Sequence, residues 1–111
     1  MAQHKHHEFT AADQQVAAIA KALAHPARIA ILRLLAARQS CLCGDIVQEL
    51  PLSQSTVSQH LKELKAVELV RGDIDGPRVC YCLDPAGWEK ARALLNDLLL
   101  QLPPNAPPCA C

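Results

Sequence analysis

The stretch from Leu52 to Leu64, LSQSTVSQHLKEL, decides the fold of this 111-residue chain. Ser53 stands where an N-cap is expected, just after a tight turn at Pro51, and predicts a helix that runs to about residue 65. At 100° per residue, three apolar side chains of this helix lie within about 60° of one another and form its buried face. These residues are Val57, Leu61 and Leu64.

The opposite face of the predicted helix carries small polar groups near its start and a lysine further along. Short hydroxyls and amides suit the reading of base edges in the major groove of DNA, and a lysine suits a phosphate. An ordinary solvated helix face usually carries more glutamate and lysine. The sequence therefore predicts that this helix reads DNA. The predicted DNA contacts on it are Gln54, Ser55, Thr56, Ser58, Gln59, His60 and Lys62.

Outward from this helix, the pattern predicts further helices over about residues 10–23, 26–38 and 45–50, and a last one from residue 84 to 102. Strands are predicted at Glu68–Arg71 and Pro77–Leu83, around a turn at residues 72–76. Arg71 and Arg78 flank this hairpin and are predicted to touch DNA phosphates. The fold class is mainly α with a small β-hairpin wing (α+β), in the order of a winged helix-turn-helix.

Three segments of the chain resemble those of a known protein family: Ala22–Ile29 (ALAHPARI), Leu52–Leu64 and Gly76–Leu83 (GPRVCYCL). In order and spacing they resemble the ArsR/SmtB family of metal-responsive repressors. The resemblance spans roughly residues 10–102, between a His-rich arm at 1–9 and a Pro-rich tail at 103–111. It implies a homodimer, formed by the first and last helices, that binds an inverted-repeat operator and is released by an inducer. The expected interface residues are Val16, Ile19, Leu23, Trp88, Leu95, Leu98, Leu99 and Leu102.

Six cysteines occur as three Cys-x-Cys pairs: Cys41 with Cys43, Cys80 with Cys82, and Cys109 with Cys111. Side chains two apart on a strand share a face, so each pair can present two thiolates together. If the segment before the helix-turn-helix pairs with the returning wing strand, the first two pairs share one outer face. Cys41, Cys43, Cys80 and Cys82 are therefore the predicted ion ligands, with the terminal pair as alternative donors.

The identity of the ion stays open at this stage. Trivalent arsenic or antimony takes three thiolates, and zinc or cadmium takes four. The resemblance favours As(III) or Sb(III), with Cd(II), Zn(II) or Pb(II) as alternatives, and a thiol redox or reactive-sulfur switch on the same fold as another. Gly44 stands where arsenic-sensing relatives usually have Asp, and no third cysteine follows a turn later. Cysteines that merely fill the core, structural disulfides and a structural zinc site are the remaining interpretations.

The composition and charge of the chain give further information about its function. Eleven basic and eleven acidic residues leave no net charge, so the prediction of DNA binding depends on local pattern alone. No secretory signal and no apolar run of membrane-spanning length is recognisable, which predicts a cytoplasmic protein without a membrane partner. No paired acid and base suggests a catalytic site, so we do not expect an enzyme.

Overall fold

Helices dominate the computed structural model, which describes residues 8–38, 50–75 and 78–102. The described residues form four helices and one two-stranded antiparallel sheet. In chain order the elements are α1 (Ala11–Ala22), α2 (Pro26–Arg38), α3 (Gln54–Ala66), β1 (Val70–Asp75), β2 (Arg78–Leu83) and α4 (Pro85–Gln101). This is the predicted fold class, and the hairpin forms the wing.

Capping side chains begin three of the helices, one of them at Ser53, which the sequence predicted as an N-cap. Thr10 Oγ1 accepts a hydrogen bond from the Asp13 amide at 3.0 Å and begins α1. Ser53 Oγ accepts from the Thr56 amide at 3.3 Å at the start of α3, and Asp84 plays the same part for α4. Each bond satisfies an N–H group that has no partner within the helix. The start of α3, which the sequence places at Ser53, is therefore a local property of the chain.

The core lies between α2, α3 and the hairpin, and α1 and α4 cover one side. Aliphatic side chains supply it because the chain has few aromatic residues. Burying such side chains is the main favourable contribution to folding, about 1.5–3 kcal/mol for each large one. The most deeply buried side chains are Ile31, Leu35, Leu64, Leu69 and Val70.

The hairpin differs from the sequence prediction. Strand β1 begins at Val70 and continues to Asp75, whereas the prediction ended it at Arg71 and treated Gly72 as the start of the turn. Gly72 instead pairs with Tyr81, and a Cβ built on it would lie 3.1 Å from the Tyr81 ring. The ring occupies the space beside the glycine, so a residue that resembles a turn signal belongs to the strand. The predicted start at Glu68 was also wrong.

Glu68 closes the end of α3 in a left-handed conformation, with φ of 64°. This residue turns the chain from the helix into β1, and the Leu69 amide bonds back to the Leu64 carbonyl at 3.1 Å. The first turn of α4 crosses this corner at Gly87, where a Cβ would lie 1.6 Å from the Glu68 carbonyl oxygen. A glycine is therefore required at residue 87 for α4 to pack against the corner.

Several predicted elements lie outside the described residues. They are the His-rich arm through residue 7, the helix at 45–50 apart from Leu50, and the tail from residue 103. Among the helices that the structure describes, none combines the length and apolar character needed to cross a membrane.

Candidate nucleic-acid interface and thiol site

Helix α3, called the reading helix from here on, separates its apolar and polar residues cleanly. Val57, Leu61 and Leu64 are buried in the core, with Leu64 fully inaccessible to solvent. Six of the seven predicted DNA contacts on this helix are exposed: Gln54, Ser55, Thr56, Ser58, Gln59 and Lys62. The exposed face is therefore free to enter a groove while the buried face anchors the helix to the rest of the protomer.

The start of the reading helix holds a small hydroxyl network. Ser53 Oγ donates to Thr56 Oγ1 at 2.9 Å and lies 3.2 Å from Ser55 Oγ. Thr56 therefore has an internal partner. Ser58 and Gln59 lie further along the exposed face, where Gln59 Nε2 donates to Glu63 Oε1 at 3.4 Å. No acidic residue occupies the first turn. The free N–H groups and the positive end of the helix dipole at this end favour a phosphate oxygen.

His60 differs from the other predicted DNA contacts because it is half-buried. Its Nδ1 accepts a hydrogen bond from Arg28 Nε at 3.0 Å, and its ring lies 5.6 Å from the ring of His25. The structure thus directs His60 toward the start of α2. The pattern of one helix could not reveal this, because Arg28 and His60 are 32 residues apart. The only sequence signal was the segment Ala22–Ile29.

On the wing, Arg71 is exposed and its Nε donates to the Cys82 sulfur at 3.5 Å. The two residues face each other across the ladder, in the register Arg71 with Cys82. Arg78 pairs with Asp75 at the end of the ladder near the tip. One of the two arginines predicted to contact DNA is therefore also in contact with a cysteine.

Strand β2, the thiol strand, carries Cys80 and Cys82 on one face and Tyr81 and Leu83 on the other. Tyr81 and Leu83 pack against the hydrophobic core. Cys80 is half-buried and Cys82 is 8% exposed, although Cys82 is not part of the core cluster. Both are disulfide-bonded. The other predicted ligands, Cys41, Cys43, Cys109 and Cys111, lie outside the described residues.

Within residues 8–38, 50–75 and 78–102, no three His, Cys, Asp or Glu side chains come together as a metal site would need. The two sulfurs on β2, which are disulfide-bonded in this structure, would become available as ion ligands only after reduction. Their chemistry suits a soft ion, and a three- or four-coordinate site requires further thiolates.

The residues predicted to form the dimer interface differ in how deeply they are buried within the protomer. Ile19 is buried in the protomer's own core at 6% exposure, and its place in the interface stays a prediction. Leu98, Leu99 and Leu102 remain 42%, 60% and 60% exposed. Leu98 also lines a groove between α1 and α4 with Val16. Half-buried positions complete the predicted set: Val16, Leu23, Trp88 and Leu95.

Helices, reading face and hairpin together define the class: a winged helix-turn-helix DNA-binding protein. A sequence profile for a helix-turn-helix domain matches residues 23–73. The arsenical resistance operon repressor of Staphylococcus aureus is 33% identical over 89 residues, which cover 80% of this chain and 78% of that one. The repressor SmtB of Mycobacterium tuberculosis is 46% identical over 63 residues, 57% of this chain and 46% of that one.

A solved structure with the same architecture is a homodimeric winged helix-turn-helix DNA-binding domain from Mycobacterium bovis, a possible ArsR-family transcriptional regulator. It is 32% identical, covers 79% of each chain and superposes with a TM-score of 0.61. The chain belongs to the ArsR/SmtB family of transcriptional repressors.

Proposed function

We propose that this protein is a dimeric repressor that binds an inverted-repeat operator through the reading helix and leaves it when a thiophilic ion binds its cysteines. The inducer is As(III) or Sb(III), and the ligands are Cys41, Cys43 and at least one of Cys80 and Cys82. The observation that carries this proposal is the position of Cys80 and Cys82 on the non-core face of β2. The similarity to an arsenical resistance operon repressor supports the choice of ion.

Charge favours a trivalent metalloid over a divalent metal at such a site. Three thiolates neutralise a 3+ ion, whereas four thiolates around Cd(II), Zn(II) or Pb(II) leave a net double negative charge. These divalent ions remain the alternative inducers, with Cys109 and Cys111 as possible extra donors.

An exposed leucine surface supports the dimer. Leu99 in the last turn of α4 and Leu102 directly after it are each 60% exposed, which is unfavourable for an apolar surface in water. A second copy packed on α1 and α4 would cover them. A two-fold dimer presents its two reading helices symmetrically and therefore matches an inverted repeat. The proposed location is the cytoplasm, where thiols are kept reduced.

A thiol redox switch on the same fold is a second candidate function, and the disulfide-bonded state of Cys80 and Cys82 favours it. In such a switch two cysteine thiols form one disulfide and lose two electrons and two protons. Peroxide would accept them and be reduced to two molecules of water. The same sulfurs would then serve as the oxidant sensor, and no ion would be needed for release.

A DNA-release assay separates the candidates. The probe is a duplex selected from a randomised pool by the reduced wild-type protein, and its fluorescence anisotropy is followed. As(III), Sb(III), Cd(II), Zn(II), Pb(II), peroxide and polysulfide are added separately. Release by As(III) or Sb(III) at concentrations where the other additions have no effect supports the metalloid proposal. Release by peroxide or polysulfide alone, with mass loss of two hydrogens per disulfide formed by peroxide, supports the redox candidate.

A further inference from the structure

One guanidinium connects three helices next to the reading face. Arg28, in the first turn of α2, donates from Nε to His60 Nδ1 at 3.0 Å and from an Nη atom to the Ala22 carbonyl at 3.2 Å. Ala22 is the last residue of α1, and His60 lies in the middle of α3. Arg28 and His60 are both half-buried. The contact thus joins the end of α1, the start of α2 and the reading helix.

The hydrogen bond defines the protonation state of His60. An Nδ1 that accepts a hydrogen bond carries no proton, so the ring proton is on Nε2 and the imidazole is neutral. Burial, the Arg28 guanidinium and then His25 lower the pKa of His60 from its usual 6.5. Arg28 and His25 are the charged and titratable groups that face this ring from other elements in the described part of the chain.

The Arg28–His60 contact supplies a kind of restraint that the core does not. Val57, Leu61 and Leu64 hold the reading helix against the core, but apolar contacts have little directional preference. A hydrogen bond weakens steeply when its angle departs from linear. His60 directly follows Gln59 on the same helix. A small rotation of α3 that broke this bond would move Ser58 and Gln59 relative to the DNA.

We propose that Arg28 and His60 are positioning residues for DNA reading: their hydrogen bond sets the rotation of the reading helix relative to α1 and α2. This proposal rests on the proposed function, because it assumes that α3 reads the operator. It assigns His60 an internal role, in place of the base or phosphate contact predicted from the helix pattern. Loss of the bond leaves the fold and the binding of non-specific DNA in place but reduces discrimination between operator and other sequences.

Two substitutions separate a positioning role from a purely structural one. Arg28→Lys keeps the positive charge, and therefore any general attraction to phosphates, but lacks the planar fork that serves two acceptors. His60→Asn places an amide oxygen close to the position of Nδ1, so it retains an acceptor that does not titrate. His25→Gln removes the neighbouring imidazole and serves as the matched control.

The measured quantity is the specificity ratio, the dissociation constant for a scrambled duplex divided by that for the selected operator of equal length. For Arg28→Lys we expect this ratio to fall about tenfold at pH 7.5, as for loss of one charge-assisted hydrogen bond. Non-specific affinity should stay near wild type, and the melting temperature should fall by only about 5 °C, so that the protein remains folded. An unchanged ratio in a folded Arg28→Lys protein would overturn the proposal.

The pH dependence of the specificity for the operator gives a second test. A purely structural role of the Arg28–His60 contact does not predict such a dependence. The folded protein favours neutral His60, because the pKa of this residue is lowered from 6.5. The Arg28–His60 hydrogen bond is therefore fully present above a pH of about 6.5. It is lost at lower pH, as the pH falls through the lowered pKa of His60. Wild type and His25→Gln should lose specificity in this range, whereas His60→Asn should not. An identical decline in His60→Asn and wild type would contradict the proposal.

Failure of the underlying function has a different signature. If α3 does not read DNA, the triple variant Ser55→Ala, Ser58→Ala and Gln59→Ala keeps the wild-type ratio of dissociation constants. If α3 reads DNA but Arg28 does not position it, the triple variant loses specificity and Arg28→Lys retains it.

Discussion

The reading helix and the thiol strand obtain their functional side chains in different ways. In α3, residues buried in the core and residues exposed to solvent alternate with the period of the helix, within a single run of 13 residues. In β2, Cys82 is 8% exposed yet outside the core cluster, and its hydrogen-bond partner Arg71 comes from another strand. In the proposed function, DNA reading would therefore depend on the pattern of a single helix, and sensing would depend on residues from more than one strand.

This difference suggests how one region can be altered without the other. The exposed face of α3 contributes little to the core, so it can be changed without unfolding the protein. The sulfurs of β2 lie away from the core face, so their chemistry can change while Tyr81 and Leu83 keep the strand packed. Within the wing, Arg71 of β1 is exposed to solvent and donates a hydrogen bond to Cys82 of β2.

The largest effect is expected from the thiol strand. Replacing Cys80 and Cys82 together with Ser should abolish release by As(III) but preserve operator affinity, because repression requires only the fold. Release requires the ion to bind the DNA-free state more tightly. Anisotropy titration of the DNA-bound variant with As(III) measures this. Normal release by the double variant would remove β2 from the site and leave the terminal pair as donor.

In the reading helix, Ser55→Ala, Ser58→Ala and Gln59→Ala together should weaken operator binding about a thousandfold, since each base contact contributes about 1–3 kcal/mol. All three side chains are exposed, so the melting temperature should change little. Lys90→Ala, which removes an exposed cation on α4, is the control for non-specific charge effects. Operator affinity equal to that of the control would place the reading surface elsewhere.

The dimer surface should show an intermediate effect. Leu99 is 60% exposed in the protomer, so burial in a dimer would remove the rest of its surface from water in each of two copies. We expect Leu99→Asp to raise the dimer dissociation constant about 10–100-fold by sedimentation. Leu100→Asp is the matched control because Leu100, 84% exposed, points about 100° further round the helix. Equal effects of the two substitutions would contradict an interface at Leu99.

The smallest effect is expected at the tail. Removing residues 103–111 deletes Cys109 and Cys111, and ordering such a tether would cost about 1–2 kcal/mol per residue fixed. We therefore expect the As(III) concentration for half-release to rise about tenfold or less, with release still complete. A truncated protein that binds DNA and ignores every ion would make the tail pair direct ligands.

The sequence predicted the elements that depend on local chemistry and missed those that depend on distant contacts. Helix α3 was expected to begin after Ser53 and α4 at Pro85, and both do, because caps and prolines act on adjacent residues. The extent of β1 was wrong because the Tyr81 ring beside Gly72 is a cross-strand contact.

For residues with regular helical spacing, the sequence did not identify what each side chain contacts. Ile19 has the spacing of an interface residue but packs in the core, since periodicity gives a face and does not say what covers it. His60 has the spacing of a DNA contact but bonds to Arg28. The pairing of Cys80 and Cys82 with Cys41 and Cys43 stays a prediction, because Cys41 and Cys43 lie outside the described residues.

Direct binding of As(III), measured by calorimetric titration of reduced protein without DNA, tests the separation of reading and sensing. The wild type, the triple reading variant and the Cys80→Ser, Cys82→Ser variant are compared under the same conditions. We predict that the reading variant binds As(III) as the wild type does and that the thiol variant loses this binding. Wild-type affinity for As(III) in the thiol variant would contradict the account.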